Sequence, residues 1–261
     1  MSRGETKAEK IRRILETDRV WSAYALADLS PAEAPLCDWF LEGQAVLLIY
    51  RGLTPPVLFA HGDPARLLAL FAKVPEGPYV YTLLGTYRSL IADRLTPSGE
   101  KRMWRMILKP KELPAVTGQT QPLGEANLDE ILELFEGQAD RPDAFHPRQL
   151  GTGIYHGIRE GGKLVCVAGT HVVSDEFGVA AIGNVFTRPE LRNRGLAKRA
   201  TAAVAAQLVE RGIRTVVLNV AMDNEAALQC YRAIGFWPFC AYYEGVGEIT
   251  SVDANPERKR A

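Results

Sequence analysis

Hydrophobic and polar positions along this chain follow two rhythms, and their order predicts an α/β protein. In the C-terminal half, the runs Gly153 to Glu160, Lys163 to Val173 and Phe177 to Thr187 are apolar and rich in β-branched residues, so each is predicted as a strand. Glu160-Gly161-Gly162, between the first two, is a hairpin turn signal. A helix is expected over Asn127 to Phe135. Leu196, Ala200, Val204 and Leu208 recur every four residues, which gives one apolar stripe to a helix that begins at Gly195, runs to Arg211 and stops at Gly212. Thr215 to Val220 then reads as a buried strand, Asn224 to Ile234 as a helix closed by Gly235, and a last strand follows. The order helix, three strands, helix, strand, helix, strand predicts a mixed, mostly antiparallel sheet with helices on its faces.

The N-terminal part has its own alternation. Ala45 to Tyr50 and Val57 to His61 are predicted strands separated by the turn Gly52 to Pro56, and Pro64 to Lys73 is a predicted helix. Tyr79 to Leu83 and Lys101 to Leu108 are further strand candidates around a helix near Tyr87 to Leu95. The stretch Lys109 to Leu123 carries Pro110, Pro114, Gly118 and Pro122 and reads as a linker. Two domains are therefore expected, a smaller α/β domain over 1–114 and a second over 115–261. With 261 residues and 47% hydrophobic content, both have enough apolar material for a core.

Charge changes the picture locally. The formal net charge is zero, yet Arg188, Arg192, Arg194, Lys198 and Arg199 crowd one short region against a single acid, Glu190. A pyrophosphate cradle, a nucleic-acid patch and a solvated helix face are the three readings of that cluster. Neutral overall charge and the lack of interleaved aromatics argue against nucleic acid. The turn Arg192-Asn193-Arg194-Gly195-Leu196-Ala197 opens a helix, whose N-terminus leaves amides unpaired and favours an anion. Cys37, Cys166, Cys230 and Cys240 show no paired or metal-ligand spacing, so free thiols and no metal site are expected. The N-terminus is charged and helical in pattern rather than an apolar signal segment, and no apolar run approaches the ~18 residues of a membrane span. Cytoplasmic residence without membrane contact is the expectation, and the polar segment Asn255 to Ala261 is expected to fray.

Two motifs in the second half carry chemistry. Arg192, Gly195 and Ala197 form the first; Asn224, Tyr231 and Gly235-Phe236 form the second, at the right separation. Over about residues 117–250 the chain thereby resembles the GNAT superfamily of acyl-CoA-dependent N-acyltransferases. The resemblance implies the GNAT-like mixed sheet, with the N-terminal domain as a degenerate copy of the same fold. It implies acetyl-CoA as cofactor, with the amides of Asn193, Arg194, Gly195, Leu196 and Ala197 on its pyrophosphate and charge-assisted contacts from Arg192 and Arg194. Main-chain groups of Val185, Phe186 and Thr187 would meet the pantetheine arm, as would Asn224. Tyr231 would protonate the departing thiolate. Tyr231 can equally be a packing aromatic, and Asn224 a helix N-cap.

The acceptor side is less marked. The implied activity is transfer of an acetyl group to a primary amine, on a small molecule or peptide, by direct attack in a ternary complex. A group must then take the amine proton; His171 is the main candidate, ahead of Glu176 and Glu160, with ordinary packing as its alternative. Phe145, His146 and Tyr155 are candidate pocket residues by position alone. A non-catalytic acyl-CoA sensor is the other functional reading, and a homodimer is left open.

Overall fold

The computed structural model describes residues 5–116 and 118–251. The tail expected to fray, 255–261, lies outside the described residues. In chain order the elements are α1 (Lys7–Leu15), α2 (Ala23–Ala27), β1 (Cys37–Glu42), β2 (Ala45–Tyr50), β3 (Val57–Gly62), α3 (Pro64–Phe71), β4 (Gly77–Leu84), α4 (Gly85–Leu90) and β5 (Leu95–Leu108). There follow β6 (Gln121–Leu123), α5 (Leu128–Phe135), α6 (Gln149–Thr152), β7 (Tyr155–Glu160), β8 (Lys163–Ser174) and β9 (Val179–Thr187). The last are α7 (Leu196–Glu210), β10 (Thr215–Ala221), α8 (Glu225–Arg232) and β11 (Phe236–Ile249).

These elements form two compact units that interleave along the chain. The first takes the described residues of Met1–Asp18, Pro31–Met103 and Ala241–Ala261; the second takes Arg19–Ser30 and Trp104–Cys240. A single break at 114/115 was expected, but a segment as short as α2 gives no periodic signal strong enough to assign it to the later unit.

In the first unit the strands are ordered β1-β2-β3-β4-β11. β1, β2 and β3 pair antiparallel, and β3 pairs parallel with β4 across α3, so this is an antiparallel meander closed by a β-α-β crossover. β2 is buried along its whole length, and Leu67, Leu70 and Phe71 of α3 pack on its neighbours with Leu47, Ile49, Leu58 and Tyr81.

The second unit repeats that plan in the order β5-β10-β9-β8-β7-β6. β7, β8 and β9 pair antiparallel, and β9 pairs parallel with β10 across α7. The predicted turn between β7 and β8 is a two-residue glycine loop, with φ of 57° and 80° at Gly161 and Gly162, the left-handed pair that a type I′ turn requires. All four stripe residues of α7 are buried, against Ile182, Val216 and Leu218 among others. Each such leucine contributes roughly 1.5–3 kcal/mol on burial. The helix ends in a Schellman arrangement: Gly212 has φ 84° and the Ile213 amide donates to the Leu208 carbonyl at 3.0 Å. Strands are mostly antiparallel and flanked by helices, in agreement with the expected mixed α/β class. Among the described residues no helix is long and apolar enough to cross a membrane, and no cluster of three metal-ligating side chains occurs.

Candidate active site

The site begins where two strands part. β9 and β10 stay paired from Val179↔Thr215 to Ile182↔Leu218, and the ladder then stops. Gly183 to Thr187 and Asn219 to Ala221 diverge as a fork. On its other side β9 remains bonded to β8, with Phe186 opposite Val167 and Thr187 opposite Cys166. The main chain of Val185, Phe186 and Thr187 therefore has one edge without a strand partner, where the Thr187 carbonyl accepts from Arg192 Nε, and an extended ligand with amide groups could pair there as in β-strand addition. The side chains are occupied elsewhere: Phe186 is buried against Phe135, and the Thr187 hydroxyl donates to Cys166 Sγ at 3.1 Å.

The β9 strand leads into a basic turn and then α7. Asn193 and Gly195 adopt φ of 63° and 73°, which aims the turn's amides outward; Gly195 is the N-cap and no side chain caps the helix. The first helical bond runs from the Arg199 amide to the Gly195 carbonyl at 3.1 Å. The amides of Leu196, Ala197 and Lys198 have no acceptor among the described residues. They open on a pocket of about 470 Å³ lined by Glu160, Arg194, Gly195, Leu196, Lys198 and Arg199. A Cβ built on Gly195 would meet nothing within 4 Å, so it would project into that open space. Unpaired amides, the positive end of a helix and Lys198 together suit a phosphate group.

The two arginines of the motif are less free than the sequence suggests. Arg192 donates to the Thr187 carbonyl at 3.1 Å and pairs with Asp140 at 2.7 Å, while Arg194 pairs with Glu160 at 3.0 Å. Both pairs are exposed, of the kind worth at most about 1 kcal/mol, so a phosphate can displace the carboxylates. Asn224 behaves as its N-cap reading has it: exposed, it accepts from the Ala227 amide at 3.1 Å. Tyr231, on α8, is half-buried and meets Phe236 edge-on at 6.3 Å. Burial raises its pKa well above the ordinary phenol value, which keeps the hydroxyl protonated.

On the opposite face of the fork lies a polar cluster. The register between β8 and β9 shifts between Thr170 and Val172, and the residue that bulges there is His171. Its Nε2 stands 2.1 Å from where a Cβ of Gly183 would be, so only glycine lets the ring lie over the fork. Tyr24, from α2, is hydrogen-bonded to His171 Nδ1 at 2.9 Å. Burial lowers the His171 pKa, Asn184 and Asp143 oppose that shift, and the nearby Arg105 adds to it; the net direction is down, towards a neutral imidazole. Asn184 follows Gly183 with a φ of 52° and donates to Tyr155 Oη at 2.7 Å and Gln149 Oε1 at 2.9 Å. Tyr155 is buried and donates to the Thr170 carbonyl at 3.1 Å. Phe145 packs edge-on against Phe135 and Tyr155, whereas His146 is exposed and accepts from the Arg148 amide at 3.2 Å. Of the predicted acceptor-side residues, Tyr155 thus joins His171 in one cluster and His146 stands apart. Tyr24, Asn184 and Gln149 escaped the sequence reading, since no local pattern marks them.

Residues 125–236 match the model of the Acetyltransferase (GNAT) family. A [Ribosomal protein bS18]-alanine N-acetyltransferase of Escherichia coli K12 is 32% identical over 79 residues, 30% of this chain and 51% of that protein. The N-alpha-acetyltransferase RimI of Mycobacterium tuberculosis is 34% identical over 110 residues, 40% of this chain and 66% of that protein. The chain thus spans about half the length of the first of these relatives. Among solved structures, a GCN5-related N-acetyltransferase from Kribbella flavida superposes with a TM-score of 0.58 at 18% identity, covering 89% of this chain and 95% of the other. A tandem GNAT protein from the clavulanic acid biosynthesis pathway gives 0.58 at 13% identity, covering 94% and 96%. At these identities the likeness is one of fold. These likenesses support a GNAT superfamily acetyltransferase domain over residues 125–236, and the tandem neighbour fits an N-terminal unit that is a degenerate copy of the same fold.

Proposed function

We propose that the protein is an N-acetyltransferase that uses acetyl-CoA and a primary amine, with its active site within residues 115–261. The observation that carries this reading is the uncapped N-terminus of α7, which opens on a pocket beside the fork. When bound, acetyl-CoA supplies the acyl group as a thioester, from which a neutral amine displaces the thiol. The amides of Asn193 to Ala197 would hold its pyrophosphate, the edge of Val185 to Thr187 that lacks a strand partner would align its arm, and Asn224 would offer the amide NH₂ that capping leaves unused. Tyr231 holds a proton at its hydroxyl and delivers it to the departing sulfur. His171, neutral because it is buried, takes the proton that the amine must lose.

Tyr155, Phe145 and His146 border the acceptor side. The acceptor class, small molecule or peptide, is open to experiment, and the relatives' names point first to protein N-terminal amines. Four cysteines outside any disulfide suit a reducing, cytoplasmic setting. The test is calorimetric titration with acetyl-CoA, coupled to thiol release across amines, amino acids, aminoglycosides and peptides. Binding with release for one class establishes the activity. Binding with no release across the panel would instead favour an acyl-CoA sensor, and absence of binding would remove the reading.

A further inference from the structure

Two side-chain carbonyls at the fork are buried without a hydrogen bond among the described residues: Asn184 Oδ1 on β9 and Asn219 Oδ1 on β10. Buried polar atoms in native proteins are nearly always paired, so two orphans at one place call for a reason. Their position supplies one. Asn219 is the first residue of β10 beyond the last rung, Ile182↔Leu218, and Asn184 is the second of β9. Both point to the same face. Val216, Leu218 and Val220 pack into the core beneath α7 and α8, so alternation places Asn219 on the other side. On β9, Ala180 and Ile182 belong to that same core, which leaves Gly183 on the far face under the His171 ring. Asn184, turned by its positive φ, joins it there, and its NH₂ is committed to Tyr155 and Gln149, so its carbonyl is the end left over. It lies near enough to His171 to favour the protonated ring, without completing a hydrogen bond to it.

We propose that Asn184 and Asn219 form the amine-recognition site, their two carbonyl oxygens accepting the two N–H groups of a neutral primary amine beside His171. This rests on the acetyltransferase reading above and names the residues that select its acceptor. Two acceptors suit an NH₂ group with two donors; a pantetheine amide has one. Neutral carbonyls also bind the uncharged, nucleophilic form of the amine, where a carboxylate would hold it as an ammonium. The site faces away from α7, so the amine would approach from the side opposite the phosphate pocket.

The test uses the full chain and n-butylamine, a probe that carries little besides the recognised group. In Asn219→Leu the orphaned oxygen is removed while the branched outline of four side-chain heavy atoms is kept. The ligand-free variant should melt at the wild-type temperature or higher, because no bond is lost and a desolvated polar atom is gone. Its acetyl-CoA affinity should stay within about 2-fold, while kcat/KM for butylamine falls at least 10-fold, chiefly through KM. Asn184→Asp, which keeps a carbonyl-like oxygen but loses the NH₂ bonds and adds a charge, should raise the KM for butylamine and move the acidic limb of its pH profile. A melting temperature lowered by several degrees in Asn219→Leu would show that Asn219 is structural and overturn the proposal. So would an unchanged KM, the absence of butylamine-dependent thiol release in wild-type protein that binds acetyl-CoA, or weakened acetyl-CoA affinity with an unaltered amine response, which would reassign the oxygen to the pantetheine amide. Failure of the wild type to bind acetyl-CoA would instead remove the acetyltransferase reading itself.

Discussion

The two β-α-β crossovers of this chain, β3-α3-β4 and β9-α7-β10, are the same construction finished in opposite ways. In the first, Asp63 caps α3 through the Ala65 amide at 2.9 Å, Pro64 has no amide, and the Arg66 and Leu67 amides both reach the Asp63 carbonyl. Every donor at that helix start is satisfied, and a carboxylate stands where an anion would go. In the second, glycine replaces the capping acid and three amides stay open. The forks differ likewise. Beyond its last rung, Phe59↔Thr82, the first fork is closed by Tyr87 of α4, whose hydroxyl bonds both the amide and the carbonyl of Gly62. Tyr231 of α8 makes no such bond among the described residues, and the edge of Val185 to Thr187 has no strand partner there, its Thr187 carbonyl bonded to Arg192. A degenerate copy can thus lose its ligand by supplying its own cap and its own plug, with the fold retained.

Substitutions can break this contrast, from the largest effect to the smallest. Gly195→Glu brings an acid to the open helix start, as Asp63 does in the closed one, and strains a residue with a φ of 73°. Calorimetry should show acetyl-CoA affinity reduced at least ~100-fold, about 2.7 kcal/mol, with the melting transition retained. Tyr231→Phe removes the proton donor alone; kcat should fall by roughly 10²-fold or more, while the dissociation constant of acetyl-CoA stays within about 2-fold, and a wild-type rate would return Tyr231 to packing. Leu208→Ala, in the α7 stripe, should cost about 2–5 kcal/mol in chemical denaturation and leave Asp63-type contacts untouched. Asp63→Ala should cost about 1 kcal/mol of stability and leave acetyl-CoA affinity unchanged, since that helix start serves only the fold.

The smallest effect is on pH. Burial lowers the pKa of His171 and of His61, so the unfolded chain binds more protons than the folded one below about 6.5. Stability should therefore be full above that value and decline as the pH drops through it towards the folded values. His171→Gln should flatten that decline in denaturation midpoints measured from pH 7 to pH 5, and a slope as steep as the wild type's would assign it to His61 alone.

What the sequence disclosed and what it hid have a common physical basis. Gly161-Gly162, the α7 stripe, Gly195 and Gly212 act within a few residues of themselves, and all four appear in the structure as their spacing predicts. The strands from β7 to β10 were legible for the same reason, within two residues at their ends. The cluster on the far face was not. It needs Tyr24 from α2, Gln149 from α6, a bulge at His171 and a left-handed turn at Asn184, and no periodicity links those positions. Asn219 reads as one more polar residue at a strand end until the ladder is seen to stop at Leu218. β1 went unread because its residues are half-buried along its whole length, without the alternation that marks a strand.

The most direct test of the contrast is the stoichiometry of acetyl-CoA binding to the full chain by calorimetry. One site per chain, lost in Gly195→Glu and kept in Asp63→Ala, is the predicted result. Two sites would show that the first crossover is not closed, and none would contradict the cradle at α7.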